Sequence, residues 1–306
     1  MKTLRALLVL GRVSNLPTIW SNCLCGWLLG KGYTGSESLD WWVFAMLVIG
    51  ASGVYLGGMY LNDACDVAWD SEHRPERPIP SGVIHEKAVW AIGIGLMAGG
   101  MFFLCLPGGM TALLSLLLFN MVLTYNFLHK RLSWSPGLIA LCRLLLILMA
   151  ASYGHVNTGS SAPFFQMPVA GLATWTALAL FAYVAGLSVL AKAESEPGEK
   201  QYWPVALMLI PVGVAMLANP GAMRGDAIIL SLILGLWMLR SLRTTYWVEK
   251  EKRDVGRSVS GLLAGIVLVD LLAVMPVVPR EEWALAAIFL CCFGLSLAAQ
   301  KFVPAT

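Results

Sequence analysis

Long apolar segments follow one another along almost the whole chain, separated by short polar connections. About ten of them have the roughly 20 mostly apolar residues that a helix needs to cross a bilayer. They lie near residues 14–30, 41–62, 88–106, 109–128, 136–154, 169–191, 202–218, 226–243, 258–278 and 283–300. Because these segments and their connections take up nearly all residues, the pattern predicts a single domain over residues 1–306, built as an all-α integral membrane helical bundle.

The composition supports the same class. The chain is 58% hydrophobic and 13% charged, with a mean hydropathy of +0.72, which lies well outside the range of soluble domains. The seven cysteines have neither the spacing of a zinc site nor that of a disulfide framework, so they are interpreted as small buried hydrophobic residues.

The basic residues predict the orientation in the membrane, since Lys and Arg concentrate in cytoplasmic loops. If the N-terminus is cytoplasmic, then of the 21 Lys and Arg residues only Lys31, Arg224 and Arg280 lie on the opposite side, and Arg143 lies within a span. The net charge of +3 therefore reflects membrane topology and predicts no nucleic-acid partner. The polar loops 62–87, 191–202 and 244–257 are predicted to face the cytoplasm, and a tenth span would return the C-terminus to that side.

The densest polar block follows the uncharged run Trp41–Leu61. Four side chains with oxygen atoms fall within an arc of roughly 100° on one helix face: Asn62, Asp63, Asp66 and Asp70. Such a stripe suits Mg²⁺, which prefers oxygen ligands and often bridges to phosphate. Arg74 and Arg77 follow closely and suit the phosphate oxygens themselves. The alternative is a solvated acidic helix end followed by a basic loop.

The order of this block carries a family resemblance. Asn62–Asp70 reads N-D-x-x-D-x-x-x-D, Arg74–Pro78 reads R-P-x-R-P, and Ser81-Gly82 follows. This resembles the first aspartate-rich motif of the UbiA-type membrane prenyltransferases, which place it after the second transmembrane helix and usually have nine helices around a central cavity. The resemblance implies nine to ten spans here and a Mg²⁺-dependent transfer of an isoprenyl group from an isoprenyl diphosphate to an aromatic or other lipophilic acceptor within the membrane. The residues that it implies for catalysis are Asp66, Asp70, Arg77 and Lys192.

A second polar cluster, between Lys192 and Lys200, follows the sixth apolar segment. In the family this loop carries a second aspartate-rich motif that binds another Mg²⁺ on the same diphosphate. Here it contains no aspartate, and the carboxylates are those of Glu194, Glu196 and Glu199. They are candidate metal ligands with a looser geometry, and the alternative is a solvated charged loop.

Three further positions resemble family features. Arg12–Asn15 lies where members often show Arg-Pro-x-Asn, with Val13 in place of proline, which implies that Asn15 faces the central cavity. Tyr125 with Lys130 and Arg131 resembles a pattern at the end of the fourth helix that contributes to diphosphate binding, and Lys192 is assigned the same role. Taken alone, a tyrosine and two basic residues at a membrane boundary are more often anchors.

Arg143 and Asp270 are charged residues in otherwise apolar segments. Such residues are costly unless they are paired or face a polar cavity. They could form a structural ion pair or lie separately in the cavity, and Arg143 is assigned with Asn15 to the acceptor cavity.

Two questions stay open at this level. The glutamate version of the second motif, with the run Gly186–Glu194, looks most like a bacterial offshoot associated with Ebo-type secondary-metabolite clusters, which implies the bacterial inner membrane. The alternative functions are an isoprenoid or small-molecule binding or export component without turnover, and a transporter. A transporter would show inverted repeats and broken central helices, and the sequence offers no persuasive repeat.

Overall fold

The computed structural model describes residues 2–33, 35, 38–132, 134–195, 201–219, 224–248, 253–275, 278–279 and 281–304. This part of the chain forms an all-α bundle, as predicted. Its α-helices are α1 (Lys2–Leu10), α2 (Leu16–Lys31), α3 (Trp41–Cys65), α4 (Val67–His73), α5 (Glu86–Cys105), α6 (Gly109–Leu128), α7 (Ser135–Val156), α8 (Pro168–Ser195), α9 (Trp203–Met208), α10 (Ile210–Ala218), α11 (Arg224–Tyr246), α12 (Val255–Val274) and α13 (Trp283–Gln300). Short 3₁₀ turns cover Val13–Asn15 and Phe164–Gln166.

Eight helices in the described residues are long and apolar enough to cross a membrane: α3, α5, α6, α7, α8 over Pro168–Lys192, α11, α12 and α13. The protein is therefore an integral membrane protein. Two of the ten predicted spans take a different form. The segment near 14–30 corresponds to α2, which has only 16 residues and includes Thr18, Ser21 and Asn22.

The segment 202–218 is divided into α9 and α10 at Leu209. Pro211 has no N–H with which to continue the helical hydrogen bonds, and its ring disfavours a helical backbone at the residue before it. The helix therefore breaks just before the proline, although the apolar run itself is continuous.

Helix α2 lies at the centre of the bundle and contacts α7, α8 and α12. A Cβ on Gly30 would lie 1.8 Å from the Ala151 carbonyl oxygen, and one on Gly26 would lie 2.6 Å from that of Ile147. Only glycine permits so close an approach of two helix backbones, which is the small-residue packing typical of membrane helices. By contrast, 72% of the most apolar 18-residue stretch of α12 is buried, against only 22% in α13, so α13 lies at the periphery with Leu290 and Leu295 exposed.

Helices α3 and α6 end, and α2 begins, at one end of the bundle, which we call the aspartate end. Helix α1 packs there against the last turns of α3, where the Tyr60 hydroxyl donates to the Leu7 carbonyl (2.9 Å). Helix α13 returns the chain to the same end, since the Ser14 hydroxyl donates to the Pro304 carbonyl (3.4 Å). The first and last described residues therefore lie near one face of the membrane.

Candidate functional site

The predicted oxygen stripe forms where α3 passes into α4. The helix is interrupted at Asp66, but the Asp66 N–H still donates to the Asn62 carbonyl (3.1 Å) and the Asp70 N–H to the Asp66 carbonyl (2.9 Å). These bonds keep the four-residue spacing across the interruption, so Asn62, Asp66 and Asp70 stay on one face. All three, and Asp63 beside them, are buried.

The carboxylates of this stripe are held by basic side chains from other segments. The Arg77 Nη1 lies 2.8 Å from Asp70 Oδ2 and 3.4 Å from Asp63 Oδ1. Arg12, in the turn between α1 and α2, places its Nη2 4.0 Å from the same Asp63 oxygen. Arg12 has a left-handed backbone (φ 42°), which is unusual for a residue other than glycine. The loop after α4 and the turn before α2 therefore converge on one pair of aspartates.

Asp66 is paired with the end of α6. Lys130 Nζ lies 2.5 Å from Asp66 Oδ1, and His129 Nε2 lies 3.5 Å from Asp66 Oδ2. Burial raises the pKa of Asp66, but the hydrogen bonds and charges of His129 and Lys130 outweigh it, and the pKa lies below its usual range. The hydrogen bond to Asp66 raises the pKa of His129 against the opposing effect of burial. The ion pairs within 4.0 Å that join two described side chains all lie in this one site.

The other predicted diphosphate residues differ in their surroundings. Arg74 is exposed, with its guanidinium carbon 5.6 Å from the centre of the Trp69 ring. Tyr125 stacks on the His129 ring at 4.9 Å. Arg131 is exposed in the turn after α6, and Lys192 is exposed near the end of α8.

The second predicted metal motif is not described. Glu194 lies on α8, but its side chain is outside the described part, and Glu196 and Glu199 lie outside the described residues. Their role stays a prediction.

Arg143 and Asp270 belong to one buried network without direct contact between them. Arg143 donates to the Thr18 carbonyl (3.2 Å), the Thr18 hydroxyl (2.9 Å) and Asn22 Oδ1 (2.5 Å). The Asn22 Nδ2 in turn donates to both Asp270 oxygens, at 2.9 Å and 2.7 Å, and Ser21 donates to Asp270 as well. The sequence left open a structural ion pair or two separate positions in the cavity. The structure matches neither in full, because the neutral Asn22 amide bridges the two charges. Asn15 lies nearby, buried at the end of the 3₁₀ turn that precedes α2.

Sequence reasoning missed three participants. His129 could have been found by its position four residues after Tyr125 and directly before Lys130. Arg12 belonged to a motif from which only Asn15 was selected. Asn22 gave no signal, because an asparagine in an apolar helix does not reveal which charges it will meet.

The side-chain oxygens of the stripe are the kind of ligand that a hard cation such as Mg²⁺ prefers. Asn62 Oδ1 is buried and has no hydrogen-bond partner, so it is an oxygen available to a ligand. Within the described ranges, no three His, Cys, Asp or Glu side chains are close enough to hold a metal by themselves. A metal here would therefore need further ligands such as water or phosphate, which is the usual situation of Mg²⁺.

Comparison with known proteins identifies the family. The model of the UbiA prenyltransferase family matches residues 23–258, well over half of the chain. The digeranylgeranylglyceryl phosphate synthase of Metallosphaera sedula is 32% identical over 100 residues, which cover 29% of this chain and 34% of that protein. The match thus spans about a third of the length of this curated relative.

Two solved structures share the fold. One comes from work on digeranylgeranylglyceryl phosphate synthase in membranes, with a TM-score of 0.54 and 15% identity over 100% of this chain and 99% of that one. The other is the apo structure of a UbiA homolog from Aeropyrum pernix K1, with a TM-score of 0.51 and 15% identity over 96% of this chain and 98% of that one. The family resemblance drawn from the motif is confirmed, and the chain belongs to the UbiA prenyltransferase family, a class of transferases.

Proposed function

We propose that this protein transfers an isoprenyl group from an allylic diphosphate to an aromatic or other lipophilic acceptor within the membrane, with Mg²⁺ at the aspartate end. The observation that carries the proposal is the buried stripe of four oxygen-bearing side chains (Asn62, Asp63, Asp66 and Asp70) surrounded by basic side chains from three separate segments. Opposite charges gathered in this way suit a ligand that is itself a metal–anion pair.

Asn62, Asp66 and Asp70 would hold the cation, with Asp63 in support. When bound, Mg²⁺ supplies positive charge that stabilises the leaving pyrophosphate. Arg77 and Lys130 are held beside the same carboxylates. If those carboxylates turned to a cation, the two basic side chains would be released next to the site, where they would bind the diphosphate oxygens. We call this rearrangement the charge exchange.

Further residues complete the proposed diphosphate site. They are proposed to be Arg74 beside Trp69, Tyr125 beside His129, and the exposed Arg131 and Lys192. Breaking the bond between the allylic carbon and its oxygen leaves an allylic cation, which water would consume. The apolar helices of the bundle exclude water, so that the acceptor captures the cation instead and its displaced proton passes to the departing diphosphate.

Arg143 is proposed to position the acceptor. A guanidinium has five N–H donors, and the described contacts use two on Nη1 and one on Nη2. The donors left over, on Nε and Nη2, lie along one edge of the group. The Tyr55 hydroxyl, on α3 about 10 Å before Asn62 at 1.5 Å per residue, donates to the Arg12 carbonyl (3.3 Å). We therefore expect the free edge of Arg143, with Asn15, to hold a polar oxygen of an acceptor that lies below the diphosphate.

The orientation of the site is also proposed. The basic loops place the aspartate end at the cytoplasmic face, in the bacterial inner membrane if the Ebo-type assignment holds. A fluorescent reporter fused after Thr306 should therefore report a cytoplasmic C-terminus. Activity of a reporter that works only outside the cytoplasm, fused at the same position, would contradict both the orientation and the return of α13 to the aspartate end.

The glutamates of the second motif are proposed to hold a second Mg²⁺ on the same diphosphate. Replacing Glu194, Glu196 and Glu199 together by Gln should abolish prenyl transfer and lower the number of Mg²⁺ ions per bound diphosphate. Unchanged transfer would identify the segment as a solvated charged loop, because exposed charges contribute little.

Asp66→Ala tests the proposed function. The variant should weaken Mg²⁺-dependent binding of a thio-diphosphate analogue by about 10–100-fold or more, by the scale of changes around a metal, with the fold intact. Calorimetry measures the affinity, and Glu72→Ala, an exposed carboxylate on α4, is the matched control. Equal affinities in the two variants would contradict the proposal. Tight binding in the unmodified protein without transfer to any of a panel of acceptors would favour the binding or export role instead.

A further inference from the structure

Trp69 brings together two of the basic side chains proposed for the diphosphate. It lies on α4, one residue before Asp70, and is 41% exposed. Lys130 Nζ lies 5.1 Å from the centre of its ring, and the Arg74 guanidinium carbon lies 5.6 Å from it. One of these cations follows α4 and the other follows α6, so two segments meet on a single aromatic ring.

The ring is fixed in place by its own helix. The His73 ring stacks on it at 4.3 Å with an interplanar angle of 5°, and His73 Nδ1 donates to the Trp69 carbonyl (3.0 Å). A side chain one helical turn further on therefore limits the rotation of the indole. The surface offered to the two cations is pre-arranged.

Lys130 has two partners, and only one of them is charged. Its ion pair with Asp66 is lost if that carboxylate turns to a metal, as in the charge exchange. The indole ring is neutral, so a metal does not compete for it, and it leaves the charge of Lys130 free to act on an anion. The ring thus suits Lys130 whether or not Asp66 holds a metal.

We propose that Trp69 is a positioning residue that keeps Lys130 and Arg74 beside the stripe while they bind the diphosphate. This inference rests on the proposed function. The competing interpretation is a membrane-interface anchor, the ordinary role of exposed tryptophan at a membrane boundary. The two interpretations differ in one respect, since an anchor does not act through Lys130 or Arg74.

The experiment compares affinities for the thio-diphosphate analogue at saturating Mg²⁺ in the full-length protein. Trp69→Leu should raise the Kd by about 5–30-fold, the loss expected for two cation–π contacts. Trp69→Phe keeps an aromatic face and should restore most of the affinity. The control is Trp247→Leu, since Trp247 is 64% exposed after α11, at the aspartate end, and its replacement should leave the Kd unchanged.

A double-mutant cycle separates positioning from anchoring. In a Lys130→Met, Arg74→Met background, Trp69→Leu should have almost no further effect on the Kd. An unchanged Kd in Trp69→Leu, a failure of Trp69→Phe to restore it, or an equal effect in both backgrounds would overturn the inference while the proposed function stands. If the unmodified protein shows no Mg²⁺-dependent binding, the proposed function fails and the inference fails with it.

Discussion

The protein neutralises buried charge in two different ways in two regions. At the aspartate end, carboxylates and basic side chains meet directly, as in Asp70–Arg77 at 2.8 Å and Asp66–Lys130 at 2.5 Å. Inside the bundle, Arg143 and Asp270 are joined only through the Asn22 amide. The Lys130 side chain is 40% exposed, whereas Asp270 is 1% exposed.

The direct ion pairs at the aspartate end can exchange their partners for a ligand, whereas the interior network of Arg143, Asn22 and Asp270 is fixed. A direct pair at the membrane boundary can open, because each partner regains water or a ligand as it leaves. A bridge deep among helices has no such replacement, and breaking it leaves charges without partners in a medium that solvates them poorly. The first arrangement suits a binding site, and the second suits a scaffold that holds a binding group in one orientation.

The largest expected effect follows from breaking the interior bridge. Asn22→Leu removes the amide between Arg143 and Asp270 and should lower the free energy of unfolding by about 3 kcal/mol or more, the scale for a buried charge that loses its partner. Thermal unfolding in detergent measures the change. Asn120→Leu, an exposed asparagine on α6, is the matched control. Equal stability of the two variants would mean that the interior network is not structural.

At the aspartate end, one substitution is expected to change the affinities for Mg²⁺ and for the thio-diphosphate analogue in opposite directions. Arg77→Met removes the cation that pairs with Asp63 and Asp70, so Mg²⁺ alone should bind about 10-fold more tightly, since each 1.4 kcal/mol corresponds to a factor of ten. The thio-diphosphate analogue at saturating Mg²⁺ should bind about 10-fold more weakly, because a phosphate ligand is lost. Calorimetry measures both affinities. Two changes in the same direction would contradict the charge exchange.

The smallest effect is expected for the weakest pair. His129 lies 3.5 Å from Asp66, whose other partner Lys130 is closer. His129→Gln should therefore tighten Mg²⁺ binding by only about twofold, because the attraction between charges falls with distance and His129 is the more distant partner. A change as large as that of Arg77→Met would show that His129, rather than Lys130, is the main partner of Asp66.

The sequence predicts those features that depend on local spacing. The apolar runs specify the eight long spans, and the four-residue period places Asn62, Asp66 and Asp70 on one face, which survives even the interruption at Asp66. Other features depend on which segments meet in the folded bundle. Neither the pairing of Lys130 with Asp66 nor the Asn22 bridge can be derived from one chain segment, because each joins residues whose approach is set by helix packing. Pro211 is a sequence signal for the helix break, but the continuous hydropathy of 202–218 predicts one uninterrupted span instead.

The charge exchange is tested most directly by titrating the unmodified protein with Mg²⁺ and the thio-diphosphate analogue, separately and together. The carboxylates and their basic partners neutralise each other. Mg²⁺ alone must therefore separate the carboxylates from basic side chains that it does not bind, and the analogue alone must separate the basic side chains from carboxylates that it does not bind. We expect each ligand to raise the affinity for the other by the same factor, about 10-fold or more, as linkage requires. Affinities that are the same in the presence and absence of the other ligand would contradict the account.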